Sequence, residues 1–170
     1  MDAFARLLLD QIPRLRRYAR ALAGSTADAD DLVQDCLERA WSRSRQWRDQ
    51  GDMRPWLFTI LHNIYVNHVR RQVRGPSFLP YEAEHDLPDP SSSAPESELS
   101  LQELQGALNS LRPEQREVLL LVALEGLTYE EVAQIQAIPL GTVMSRLFRA
   151  REALRRQLAG QAVPGLRRVK

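Results

Sequence analysis

Apolar residues recur at three- and four-residue steps through residues 1–74 and again through 100–160, and neither stretch sustains the alternation of a strand. Between them runs GPSFLPYEAEHDLPDPSSSAPESE (75–98), rich in proline, serine and acids and without a period. This pattern restricts the chain to an all-α class, with two small helical domains joined by a flexible acidic linker. The expected divisions are 1–74, a linker at 75–99, a second domain at 100–160 and a basic tail at 161–170.

The net charge of +1 conceals a segregation. Residues 1–74 carry a net +4, residues 75–111 carry −7 with no Arg or Lys, and residues 112–170 carry +4. Lys170 is the one lysine, so the basic domains are armed with guanidinium, the group suited to bidentate contacts with phosphate and guanine. No apolar run approaches the roughly 18–20 residues that span a bilayer, and the single cysteine, Cys36, falls among apolar helix positions. A cytoplasmic chain without membrane insertion is expected, its thiol structural. An enzyme is not expected. His62 and His68 stand six residues apart on one helix, a step that does not present both to one metal, and His85 lies in the linker. With no Gly-rich phosphate loop or nucleophile elbow either, neither catalytic residues, metal nor cofactor are assigned.

In the first domain, STADADDLVQDCLERAWS offers Ser25 as a helix cap with Asp28 three residues on, then a buried stripe of Leu32, Val33, Cys36, Leu37, Ala40 and Trp41. The opposite face shows Asp31, Gln34, Asp35 and Glu38, either solvated or bound to a partner. A second helix near MRPWLFTILHNIYVNHVRRQVR places Met53, Trp56, Leu57, Ile60, Leu61, Ile64 and Val69 inward. Its other stripe carries Thr59, Asn63, Asn67, Arg70, Arg71 and Arg74, either a nucleic-acid face of base-edge hydrogen bonders and phosphate neutralisers or the solvated side of a surface helix. In the break before it, Trp47 stands between Gln46 and Arg48, placed either to stack on an unpaired base or to anchor the loop.

The second domain holds a helix from Pro113 that buries Val118, Leu119, Leu121, Val122 and Leu124 and stops at Gly126. A capping box, Thr128 with Glu131, opens the next helix, and AIPLG leads into an arginine-rich one carrying Val143, Leu147 and Leu154 inward. Two short helices crossing at small Ala133 form a helix-turn-helix pattern, whose second helix would enter the major groove, the alternative being a helical hairpin with a solvated arginine face. Thr142, Ser145, Arg146, Phe148 and Arg149 are the candidate DNA contacts, with Arg151, Arg155 and Arg156 extending the basic surface.

Three blocks in order, DADDLVQDCLERAW, RPWLFTILHNIYVNHVRR and LRPEQREVLLLVALEGLTYEEVAQIQAIPLGTVMSRLFRAREAL, resemble bacterial RNA polymerase sigma factors of the extracytoplasmic function type over nearly the whole chain. The resemblance implies that 1–74 binds the −10 promoter element and 100–160 the −35 element, both docked on core RNA polymerase. It assigns Asp31, Gln34, Asp35 and Glu38 to polymerase binding, Trp47 and Arg48 to capture of a flipped base, and Asn63, Asn67, Arg70 and Arg71 to −10 reading. Promoter DNA, core polymerase and an anti-sigma factor are the implied partners, and the linker would thread the polymerase cleft. Two positions depart from the family: Ala137 stands where the turn usually has glycine, and Met144 where a basic residue usually follows GTV. A helix-turn-helix regulator, or a sigma-like mimic that sequesters an anti-sigma factor, are the alternative readings.

Overall fold

The computed structural model describes residues 2–48, 51–74 and 95–161, the side chains of residues 74, 95–100 and 161 excepted. The basic tail beyond 161, His85 and the greater part of the acidic linker lie outside the described residues. Every regular element among those described is helical, as the periodicity implied.

The first domain is built from α1 (Ala3–Ala23), α2 (Thr26–Ser42) and α3 (Arg54–Arg74), with one 3₁₀ turn at Ser44–Gln46. Gly24 ends α1 at φ 76°, a left-handed residue that turns the chain sharply into α2. Ser25 then caps α2, its hydroxyl accepting from the Asp28 N–H. Leu32, Cys36 and Ala40 from α2 meet Leu57, Leu61 and Ile64 from α3, and Tyr18 and Leu22 of α1 close the core. Each large apolar side chain so buried contributes about 1.5–3 kcal/mol before entropy is counted. The Tyr18 ring meets Phe58 edge-on at 4.8 Å.

Trp41 corrects the sequence reading. Its step places it on the buried stripe, but it is 58% exposed near the end of α2, where it meets Phe4 with ring centroids 6.2 Å apart and borders an open groove shared with Leu8, Leu9 and Leu37. Trp56 and Val69 are likewise only partly buried, whereas Phe58 and Tyr65 are buried without having been expected there.

The second domain comprises α4 (Pro95–Ser110), α5 (Pro113–Ala123), α6 (Tyr129–Gln136) and α7 (Leu140–Gln161). Helix α4 begins inside the stretch read as linker, and α7 runs to the end of the expected second domain. Val118, Leu121, Val132, Ile135, Val143, Leu147 and Ala150 form its centre. Val122 and Leu124, expected inward, are partly buried, and Leu120 takes the inward position instead.

The two domains are not held apart. Helix α3 packs on α6, and α1 packs on α5 and α4, so buried residues of both join one continuous core. Gly24 faces α4, where a Cβ would come within 2.9 Å of the Asn109 side chain. The glycine thus serves both the turn and the close approach.

Candidate nucleic-acid interface

The helix-turn-helix is held by local devices that the sequence announces. Thr128 Oγ1 accepts from the Glu131 N–H at 3.1 Å, and the Glu131 carboxylate accepts from the Thr128 N–H at 2.9 Å, completing the capping box. Ala137 takes the left-handed conformation, φ 53° and ψ 48°, in the place of the expected glycine. Its Cβ costs about 1 kcal/mol there. Its N–H donates to Gln134 O and the Ile138 N–H to Ala133 O, which closes the end of α6. Pro139 starts α7 by accepting from the Thr142 and Val143 N–H groups.

Val143, Leu147 and Ala150 pin one side of α7 into the core, which turns the other side outward. Ser145, Phe148 and Arg149 are exposed there, and Thr142 and Arg146 are half-buried beside them. Phe148, at 66% exposure, is an apolar ring held in solvent on a basic helix. The Ser145 hydroxyl donates to Thr142 O at 3.1 Å, so a base contact would use its lone pairs or require it to turn. Met144, 48% exposed, extends the same face without a charge.

On α3 the polar stripe is displayed as expected: Asn63, Asn67, Arg70 and Arg71 are exposed. Thr59 is withdrawn, its hydroxyl donating to Pro55 O at 2.7 Å. Trp47 packs on Trp56 with ring centroids 5.5 Å apart and stays half-buried, while Arg48 is exposed. The Trp47 indole N–H is buried without an acceptor among the described residues. On α2, Asp31, Gln34 and Glu38 are exposed, Gln34 donating to Glu38 at 3.1 Å, and Asp35 stands 3.6 Å from His68 of α3. The Cys36 thiol, buried and donating toward Leu57 O at 3.7 Å, is pushed up to about 12 by burial.

Sequence reasoning missed a charged seam between the domains. Glu117 of α5 is hydrogen-bonded to His62 Nδ1 of α3, and burial raises its carboxyl above the ordinary value, opposed by that bond and by Arg146. Glu125, its side chain fully shielded from solvent, accepts from Arg14 at 3.2 Å and lies 3.6 Å from Arg17. Arg54 donates to the Glu125 carbonyl at 3.1 Å and pairs with Asp52. Arg116 donates to Leu22 O at 2.9 Å across the seam and to the carbonyls of Leu108, Asn109 and Leu111 within its own domain. One signal was available: Glu117 falls on the apolar stripe of α5, four residues before Leu121, where a carboxylate demands a partner.

Comparison with known proteins gives the same two regions. Residues 8–62 match the family described as the Sigma2 domain of PhyR, and residues 101–154 match Sigma-70, region 4. The chain is 35% identical to the ECF RNA polymerase sigma factor EcfG of Rhodopseudomonas palustris, over 86% of this chain and 80% of that protein. It is 36% identical to the ECF RNA polymerase sigma factor SigE of Mycolicibacterium smegmatis, over 94% of this chain and 63% of the relative. Among solved structures, the sigma factor RpoE of Bartonella quintana, in complex with the anti-sigma factor NepR, superposes with a TM-score of 0.77 at 34% identity, covering 94% of this chain and 98% of that one. With its sigma region 4 match and its near full-length likeness to named members, this chain belongs to the ECF RNA polymerase sigma factors.

Proposed function

We propose that this sigma factor directs core RNA polymerase to promoters by reading a −35 element with α7 and a −10 element with α3. The observation that carries the reading is the outward face of α7, where Ser145, Phe148 and Arg149 are held exposed by a core-anchored opposite face. Arg146 and Arg149 pair with guanine or phosphate, Thr142 and Ser145 with phosphate or base edges, and Phe148 meets a thymine methyl. On α3, Asn63 and Asn67 read bases while Arg70 and Arg71 neutralise strand phosphates. Arg48 and the open part of the Trp47 ring flank a base drawn out of the stack, which holds the melted strand without any bond being hydrolysed. Asp31, Gln34, Asp35 and Glu38 on α2 dock the polymerase.

The domains so assigned are 1–74 for the −10 element and polymerase and 100–160 for the −35 element, connected by the acidic segment between them. The structural relative was solved with an anti-sigma factor, and by likeness an anti-sigma factor is the proposed negative regulator here. A helix-turn-helix regulator leaves the Asn and Arg stripe of α3 without use, and a mimic of a sigma factor has no need of the exposed DNA faces.

The test is run-off transcription on fragmented genomic DNA with sigma-free core polymerase, with and without the chain. Discrete start sites that depend on the chain are expected. Their absence while the chain still binds duplex DNA would instead favour the regulator, and failure to bind either DNA or polymerase would favour the mimic.

A further inference from the structure

A groove that neither reading helix uses opens between α1 and the helices α4, α5 and α7, with a volume of about 890 Å³. Leu101, Leu104 and Leu108 line it from α4, Leu119 and Leu120 from α5, and Leu154 from α7. Leu101 is 66% exposed and Leu104 38%, so apolar side chains stand in solvent along it. A contiguous apolar surface of this kind gains when something covers it. Gln105 ties α4 to α1 beside the groove, its amide donating to Ala21 O at 3.3 Å and to Asn109 Oδ1 at 2.9 Å.

The α1 side differs in kind. It brings Arg16, Arg17 and Arg20, and no carboxylate lines the groove among the described residues. Arg17 already lies 3.6 Å from Glu125. Arg16 and Arg20 stand one helical turn apart, exposed and without an acidic partner among the described residues. Leucine on three helices and unpaired guanidinium on the fourth ask for an occupant with an apolar body and an anionic end, since guanidinium matches a carboxylate in geometry as well as charge.

Size narrows the occupant further. The volume falls within the range of about 300–1,000 Å³ usual for small-molecule sites. The α1 side, from Pro13 to Ala21, runs about 12 Å at about 1.5 Å per residue. That length grips about two turns of a partner helix, and a helix so short is marginal in water, whereas a single flexible chain carries no such nucleation cost.

We propose that this groove binds a single-chain anionic amphiphile of the fatty-carboxylate class, its chain along the leucines and its carboxylate on Arg16 and Arg20. The site goes beyond the promoter reading and does not rest on it, because none of its residues belongs to the proposed DNA or polymerase faces. Its walls come from four helices, so an occupant stabilises the folded chain by mass action.

The experiment titrates dodecanoate, kept below its micelle concentration, into the full chain by calorimetry, with thermal melting in parallel. A single saturable site and a Tm that rises with ligand concentration are expected. Decanoate should bind more weakly, by up to about fourfold for each methylene lost. Dodecyltrimethylammonium, with the same chain and the opposite charge, should not compete. Arg16→Ala with Arg20→Ala should lower dodecanoate affinity severalfold at unchanged helix content and leave dodecanol binding as it was. Leu101→Glu, which sets a carboxylate at an exposed position of the apolar wall, should weaken dodecanoate independently of those arginines. Absence of saturable binding, equal affinity for the two head charges, or full affinity in the double arginine variant would each overturn the site. A groove that takes an acidic amphipathic peptide but not dodecanoate would overturn it too, with a protein segment as the occupant.

Discussion

Ala137, Cys36 and Arg149 each isolate one physical term. Ala137 holds φ 53° at the C-terminal cap of α6, so Ala137→Gly should relieve the Cβ strain and stabilise the chain by about 0.5–1 kcal/mol, net of the extra freedom of glycine in the unfolded chain. A rise of about 2–3 °C in thermal melting is the expected reading, and an unchanged or lower Tm would argue against strain at this turn. Cys36, with its thiol pushed up to about 12 by burial, should resist alkylation in the native chain and react on denaturation; rapid native labelling would contradict its placement. Arg149→Ala should weaken binding to the upstream element by about 1–3 kcal/mol if the guanidinium pairs with a base, whereas unchanged affinity would remove it from the reading face. The buried thiol was legible because it follows from a local apolar step, whereas Ala137 stood out only through the resemblance, as a departure from the usual glycine with its conformation left open. The exposure of Trp41 was not, because it depends on how α1 sits against the end of α2, which leaves an open groove there.

At the scale of elements, α5 carries the clearest pH signature. Burial raises the Glu117 carboxyl above 4.5 in the folded chain, so its contribution is fully present below the unfolded value and is lost as pH rises through the raised one. Glu117→Gln removes that titration. Melting curves taken from pH 4.5 toward neutrality should therefore fall less steeply for Glu117→Gln than for the unsubstituted chain, and parallel curves would show that Glu117 does not titrate on unfolding. Helix α5 shows where periodicity stops being informative. The apolar stripe located its inward face, but Leu120 of α5, like Phe58 and Tyr65 of α3, is buried because helices pack from a second side, which a one-face stripe does not express. Helix α4 was partly read as linker because PESELS is too polar to show an apolar step, although the helix starts at Pro95.

For the whole molecule, two helical domains, each with an exposed reading helix, are joined through a seam of buried carboxylates. The two domains and their helix-turn-helix were visible in the sequence, since helical period and capping are local. Their mutual packing was not, because Arg14 and Glu125 are 111 residues apart and nothing near either one names the other. The most direct test of the account maps where each reading helix lies on a promoter recovered by run-off transcription. DNA-cleaving reagents tethered at Met144→Cys on α7 and Gln72→Cys on α3, with Cys36 shielded, should cut in two clusters. Their centres should lie about 25 base pairs, or about 85 Å, apart, the α7 cluster upstream and the α3 cluster downstream. Overlapping clusters, or cleavage from α7 alone, would contradict a chain that reads two elements at once.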